Sequence, residues 1–232
     1  MRSVPSEAEV YAEHAKEYED LVSHEDYQGN ILRAIQEIVP LQGLDVLDLG
    51  AGTGRLACLL QRDVHQVIAC DLSVHMLGIA RDRLKSGPGN WLTAAADHRR
   101  LPLPADSTDL LVSGWSVSYV TVWSPDHWRE EADAWLTEAR RVLRTDGHII
   151  LFESLGTGNE TPKRLPHLEN FYDWLDERHF QNKWIRTDYR FDSPQRASEI
   201  AGFFFGAAMK ERILREGLTI LPECTGVWWL GE

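Results

Sequence analysis

Cysteine is scarce in this chain. Its 232 residues include three, Cys58, Cys70 and Cys224, and no two of them form a C-x-x-C pair. An odd, scattered set supports neither a disulfide framework nor a zinc site, so no metal is expected. Two of the three lie in apolar stretches, where a free thiol acts as a small hydrophobe. Long apolar runs are missing as well: none approaches the roughly 20 residues that cross a bilayer. Positive charge is in deficit. Lys and Arg number 24 against 36 Asp and Glu, a formal net charge of -12, whereas a phosphate backbone calls for a basic face. Neither nucleic acid nor membrane is an expected partner. The opening stretch MRSVPSEAEVYAEHAKEYED is polar and acidic and reads as neither a signal nor a transit peptide. A reducing cytoplasm is the expected compartment.

What is present is an ordinary globular composition, 43% hydrophobic and 26% charged, in a chain long enough for one large domain. No internal repeat or low-complexity segment interrupts it. Residues 6–22, with Val10, Tyr11, His14, Tyr18, Leu21 and Val22 at helical spacing, predict a helix; a second runs from Gln28 to Val39 and ends at Pro40 and Gly43. The period then changes. Short apolar runs at Asp45–Leu49, Gln66–Cys70, Trp91–Ala96, Asp109–Ser113 and His148–Phe152 alternate with helical patterns, the longest from Pro125 to Arg144. That alternation predicts a parallel sheet covered on both faces. Further on, Leu168–Arg178 reads as a short helix, and Ile185, Thr187, Tyr189 and Phe191 as a half-exposed strand. Ser193 to Glu216 reads as a helix stopped by Gly217. Leu218–Leu221 and Val227–Leu230 are close enough for an antiparallel hairpin.

The strongest chemical signal is Val46-Leu47-Asp48-Leu49-Gly50-Ala51-Gly52-Thr53-Gly54. An apolar strand delivers an acid, and three alternating glycines turn the chain into a helix. Glycines permit unusual dihedrals and close ligand approach, and the helix N-terminus offers free N–H groups. A dinucleotide loop wants G-x-G-x-x-G; here Arg55 stands in the last place. No Gly-Lys-Ser/Thr follows, which excludes a Walker loop, and there is no Tyr-x-x-x-Lys pair of the kind an NAD-dependent oxidoreductase can carry.

The D-x-G-x-G-x-G run resembles motif I of class I S-adenosylmethionine-dependent methyltransferases, small-molecule enzymes in particular. The order that follows is also similar: Asp71 at the end of the second strand, Asp97-His98 after the third, Leu101 to Asp109 before the fourth, and Ala139 to His148 leading into the fifth. Leu103 stands where the family usually has Phe. The resemblance covers about residues 40–155 and implies a Rossmann-like α/β three-layer sandwich with a mostly parallel, seven-stranded sheet and an antiparallel C-terminal hairpin. It implies S-adenosylmethionine as cofactor, held by Asp48, Gly50, Ala51, Gly52 and Gly54, with Asp71 on the ribose hydroxyls and Asp97 and His98 near adenine. Leu72, Met76, Trp115 and Tyr18 are further candidate cofactor contacts.

The implied reaction moves a methyl group from the sulfonium to a small-molecule acceptor by in-line displacement, which needs alignment and dryness before it needs a base. His98 is the best-placed base candidate, with His24, Glu153 and Tyr119 behind it. One domain spans residues 1–232. Residues 1–40 are expected to form a helical cap, and 154–192 an insertion over the acceptor site, hinged at Gly156-Thr157-Gly158-Asn159. The insertion's Phe171, Tyr172, Trp174, Phe180, Trp184 and Tyr189 suit either an aromatic cover for a planar acceptor or a secondary core. A non-enzymatic module that kept the fold and an NAD-dependent oxidoreductase are the alternatives. An Asn-Pro-Pro-Tyr-like motif, which would favour a nucleic-acid substrate, is replaced by Ser113-Gly114-Trp115-Ser116.

Overall fold

The computed structural model describes residues 15–231. The part of the first predicted helix before residue 15, with Val10, Tyr11 and His14, lies outside the described residues. The rest forms α1 (Ala15–His24), followed by α2 (Asn30–Gln36).

Five strands run parallel at the centre: β1 (Asp45–Leu49), β2 (Gln66–Asp71), β3 (Asn90–Ala95), β4 (Thr108–Gly114) and β5 (Leu143–Thr157). Helices cover both faces, which is why the strands are apolar on both sides. Period-two alternation divides β1 between two cores. Leu47 and Leu49 join Trp135 and Ala139 on one face; Val46 joins Ile31, Ile35 and Leu60 on the other. Three helices matter for the site: α3 (Arg55–Leu60) after β1, α4 (Val74–Leu84) after β2, and α6 (Trp128–Val142) before β5, preceded by the short α5 (Val120–Trp123). Ala132, Trp135, Leu136, Ala139 and Val142 line the buried stripe of α6. Glu130 and Glu131 in its first turn and Arg140 and Arg141 in its last complement the helix dipole.

After β5 come α7 (Glu169–Glu177), β6 (Gln181–Arg186), β7 (Tyr189–Arg190), α8 (Pro194–Glu216), β8 (Ile220–Leu221) and β9 (Glu223–Leu230). The sheet has seven strands in the order β3-β2-β1-β4-β5-β9-β6, and β9 runs antiparallel to both neighbours. The antiparallel pairing differs in detail from the hairpin read in the sequence. Ile220–Leu221 turns away to pair with β7 in a separate two-stranded sheet, and the partner of β9 is Gln181–Arg186. Hairpin proximity lost to a longer crossover because Pro222 breaks the run between the two strands. Helix α8 begins on the Ser193 side chain, which accepts from Arg196 N–H, and stops at Gly217 as expected. It is also broken at Gly206 (φ 86°), a kink the apolar pattern does not announce.

The insertion is largely structural. Phe171, Tyr172, Trp174 and Phe180 are buried with Trp135 in the core beneath the sheet, so they form the secondary core and not an aromatic cover. Trp184 lies outward, and Tyr189 alone of the six reaches the site described below. The glycine stretch expected as a hinge is bonded at Gly158. Gly158 N–H donates to the Pro222 carbonyl at 2.7 Å, and Arg212 reaches the Gly158 carbonyl at 2.7 Å.

Candidate functional site

The glycine turn leaves the C-terminal end of β1 with Gly50, Gly52 and Gly54 at φ 73°, 54° and 81°, the left-handed region that side chains resist. Gly50 and Ala51 N–H groups both donate to the Cys70 carbonyl, at 2.8 and 2.9 Å, tying the turn to β2. The glycines have different jobs. A Cβ on Gly50 would stand 2.5 Å from Ser116 Cβ and closer still to its Oγ, and one on Gly54 would stand 2.9 Å from Ala80 Cβ. On Gly52 it would meet only Met76 Cε, at 3.9 Å. Gly50 is required by the close approach of the Ser116 side chain and Gly54 by that of Ala80, and Gly52 faces the open side.

Asp48 and Met76, expected as cofactor contacts, are both buried beside the turn. Asp48 is 1% exposed, and its carboxyl accepts the Ala57 N–H of α3 at 2.8 Å. Burial pushes its pKa up to about 7, with Asp71 adding to the rise. It shapes the turn from beneath. Met76 is fully buried under the same turn. Asp71 is placed as the sequence implies, half-buried at the strand end. Its Oδ2 accepts from Gly52 N–H at 2.8 Å and its Oδ1 from Ser73 N–H at 2.7 Å. A carboxylate has about four lone-pair sites, so acceptors remain for further donors. Leu72 and Val74 beside it are 66% and 71% exposed.

Asp97 is engaged elsewhere. Both its oxygens bind Arg99, which also meets Glu131, and the Arg99 hydrogen bonds hold its pKa down at about 2. His98 lies against the turn, its Nε2 3.5 Å from Ser116 Oγ. Burial lowers its pKa against the pull of Asp71 and Asp97, so the ring is neutral near pH 7. Trp115 (φ 49°) ends the β4 edge, its ring stacked at 6.2 Å on Phe152 and lying 4.6 Å beneath the Arg55 guanidinium.

The cap is fastened to this turn. Glu19 on α1 pairs with Arg83 at 2.7 Å, and Arg83 donates to the Thr53 carbonyl at 3.0 Å. Tyr18 lies edge-on to Phe204 at 6.4 Å, and burial pushes its hydroxyl up to about 12. Just past α1, Glu25 pairs with Arg55 at 2.7 Å. Burial alone would lower the guanidinium pKa; Glu25, with Tyr189 and Tyr18 nearby, outweighs it and keeps Arg55 charged. Of the other base candidates, His24 Nδ1 lies 2.9 Å from the Arg190 carbonyl, and Tyr119 stacks on Trp123 at 5.1 Å. Arg55, Glu25, Ser116 and Glu223 also lie here, outside the residues that the resemblance implies. Two signals were available: an arginine directly after the last glycine, and a glutamate opening the apolar run of β9.

Glu153 is buried on β5, where its carboxyl accepts from Ser118 Oγ at 2.9 Å and Ser118 N–H at 3.3 Å. Burial pushes its pKa up to about 8, against the pull of those two bonds. A carboxyl raised on folding contributes stability that is complete below its unfolded value and lost as pH climbs toward the folded one. Between about pH 5 and 8 one such group tilts stability downward by up to about 1.4 kcal/mol per pH unit. Asp48 and Glu223 act in the same direction. Urea denaturation across this window should show a shallower slope for Glu153→Gln than for the wild type; an unchanged slope would assign the proton to another group.

The turn, Asp71 and the exposed apolar pair Leu72 and Val74 fit a nucleoside with a polar tail: a cradle no Cβ may enter at Gly50, free acceptors for a diol, and apolar surface for a ring. Comparison with known proteins agrees. Residues 47–151 match the methyltransferase domain family. A malonyl-[acyl-carrier protein] O-methyltransferase from Marinomonas is 30% identical over 181 residues, 77% of this chain and 61% of that protein. The ubiquinone/menaquinone biosynthesis C-methyltransferase UbiE of Cellvibrio japonicus is 32% identical over 51% of this chain and 46% of its own. The chain thus spans less than two thirds of the length of these relatives. Among solved structures, a SAM-dependent methyltransferase from Aquifex aeolicus shares the fold with a TM-score of 0.54 at 16% identity, over 85% of this chain and 87% of that one. Strand order, glycine turn and matched segment are together those of a class I S-adenosylmethionine-dependent methyltransferase domain.

Proposed function

We propose that the protein transfers a methyl group from S-adenosylmethionine to a small organic acceptor by in-line displacement. The observation that carries this reading is the G-x-G-x-G turn whose Gly52 N–H is bonded to the strand-end Asp71. When bound, the sulfonium cofactor supplies an activated methyl group. The chain's own residues supply position. Asp71 offers oxygens to the ribose hydroxyls, and Leu72 and Val74 offer apolar surface to the base. The backbone at Gly50 to Gly54 receives the amino-acid end. The N-terminal cap, fastened by Glu19 and Arg83, keeps water from the reacting atoms. The acidic balance of the chain supports an acceptor other than nucleic acid, as do the malonyl-[acyl-carrier protein] and ubiquinone/menaquinone biosynthesis methyltransferases among its relatives. Among the described residues no helix is long and apolar enough to cross a membrane; a cytoplasmic location belongs to the same proposal.

Calorimetry tests the reading directly. S-adenosylhomocysteine should bind and NAD should not; binding of NAD alone would overturn the assignment. Asp71→Ala should weaken S-adenosylhomocysteine by about 1.5–3 kcal/mol, the range for a hydrogen bond to a charged group. Undiminished affinity in a folded variant would remove Asp71 from the ribose role.

A further inference from the structure

Beyond the glycine turn, on the β5–β9 side of the sheet, lies a second buried polar cluster. Arg55 comes to it from the start of α3, Glu25 from the cap, Tyr189 from β7 and Glu223 from the start of β9, where it pairs in register with Thr157. Two atoms in it have no hydrogen-bond partner, Arg55 Nη2 and Glu223 Oε2, and both are sealed from solvent. The other ends of the same groups are satisfied. Arg55 Nη1 meets Glu25 at 2.7 Å, and Glu223 Oε1 accepts from Ser154 Oγ at 2.8 Å. Glu223 is 2% exposed. Buried polar groups left open are costly and rare in native proteins, so a pair in one cluster points to a missing occupant.

The position separates this occupant from the nucleoside. Asp71, Leu72 and Val74 lie at the β2 end of the sheet, whereas Glu223 lies on β9, with β1, β4 and β5 between them. The chemistry is equally selective. A guanidinium nitrogen only donates, and an ionised carboxylate oxygen only accepts. A hydroxyl can meet either need, accepting from the first and donating to the second. A carboxylate would not: Glu25 already neutralises Arg55, so an added anion would enter a buried site with no net positive charge.

Resting on the methyltransferase reading above, we propose that this cluster binds the acceptor through an ionisable hydroxyl, phenol or enol, with Glu223 Oε2 taking its proton and Arg55 Nη2 holding the resulting oxyanion. The O–H bond breaks toward Glu223. The oxygen, or a carbon conjugated to it, then forms the new bond to the methyl carbon as the bond from methyl to sulfonium sulfur breaks, its electron pair staying on sulfur. Burial pushes the Glu223 carboxyl up to about 8, near the working pH at which a general base is most effective.

The test uses the full chain saturated with S-adenosylhomocysteine and three ring probes: phenol, anisole and benzoate. The phenol should bind at least about tenfold more tightly than the ether or the carboxylate, a difference of about 1.4 kcal/mol. Glu223→Gln, close to isosteric, should abolish that preference while S-adenosylhomocysteine affinity stays within about threefold. Equal binding of phenol and ether, or preference for benzoate, in the wild type alone would overturn the proposal, whatever the variant does. Retention of the preference in Glu223→Gln would overturn the role of Glu223. Failure of S-adenosylhomocysteine to bind the wild type would instead strike the methyltransferase reading, and is seen in a separate titration.

Discussion

Trp174→Ala is expected to cost about 3–5 kcal/mol of stability, the range for deleting a fully buried tryptophan. The indole is stacked on Phe171 at 5.7 Å, set edge-on to Trp135 at 6.2 Å, and its Nε1 donates to Asp133 at 2.9 Å. Alanine would leave a cavity bounded by rings that cannot collapse into it, and an Asp133 oxygen that still meets Arg178. The consequence is diagnostic for the whole 154–192 segment. A residue of an aromatic cover could be removed at little cost in stability, with loss of acceptor affinity. A residue of the secondary core should do the reverse, shifting the urea midpoint strongly and leaving S-adenosylhomocysteine affinity intact. A loss below about 1 kcal/mol would contradict the core assignment.

That segment shows where a sequence stops being legible. The parallel centre was readable because each element carries its own period: buried apolar runs for β1 and β2, a five-residue apolar stripe for α6, a serine cap and a glycine stop for α8. Phe171, Tyr172 and Trp174 also have a helical period, but period says only that one face is covered. It cannot say whether the cover is Trp135 or a ligand. The C-terminal strands carry a similar ambiguity. Both Ile220–Leu221 and Gln181–Arg186 are plausible neighbours for β9 by distance along the chain, and register is decided by tertiary packing.

The site divides along the same line. The place of Asp71 was readable because a strand end and a glycine turn fix it. Asp48 sits in the same motif, yet one residue before the strand ends, so alternation turns it under the turn and onto the α3 N-terminus. Asp97 was obscured by Arg99, two residues on, whose guanidinium folds back onto its carboxylate. Arg55, Glu25 and Glu223 are far apart in sequence and become one cluster only when cap, helix and last strand meet, which no local pattern encodes.

The glycine turn gives the second large expectation. Gly50→Ala should destabilise the protein by about 2–5 kcal/mol. The lower part is the cost of a side chain at φ 73°, about 1–2 kcal/mol. The remainder is the about 1–3 kcal/mol of forcing a methyl into a filled space. The space is filled by Ser116, whose Cβ would be 2.5 Å away and whose Oγ would be nearer. Rotating the serine hydroxyl cannot relieve the clash, because its Cβ is fixed by the chain leaving β4. The turn or the 115–117 backbone has to move. Either shift carries Gly52 off Asp71 and misplaces the cradle, so S-adenosylhomocysteine affinity should fall at least about tenfold, or about 1.4 kcal/mol. The two causes can be separated. In the double variant Gly50→Ala, Ser116→Gly the clash is gone and only the dihedral cost remains. A double-mutant cycle in urea should give a favourable coupling of about 1–3 kcal/mol, with part of the cofactor affinity restored. Strict additivity would mean that the dihedral alone demands glycine at position 50, and that the approach of Ser116 is incidental to the shape of the turn.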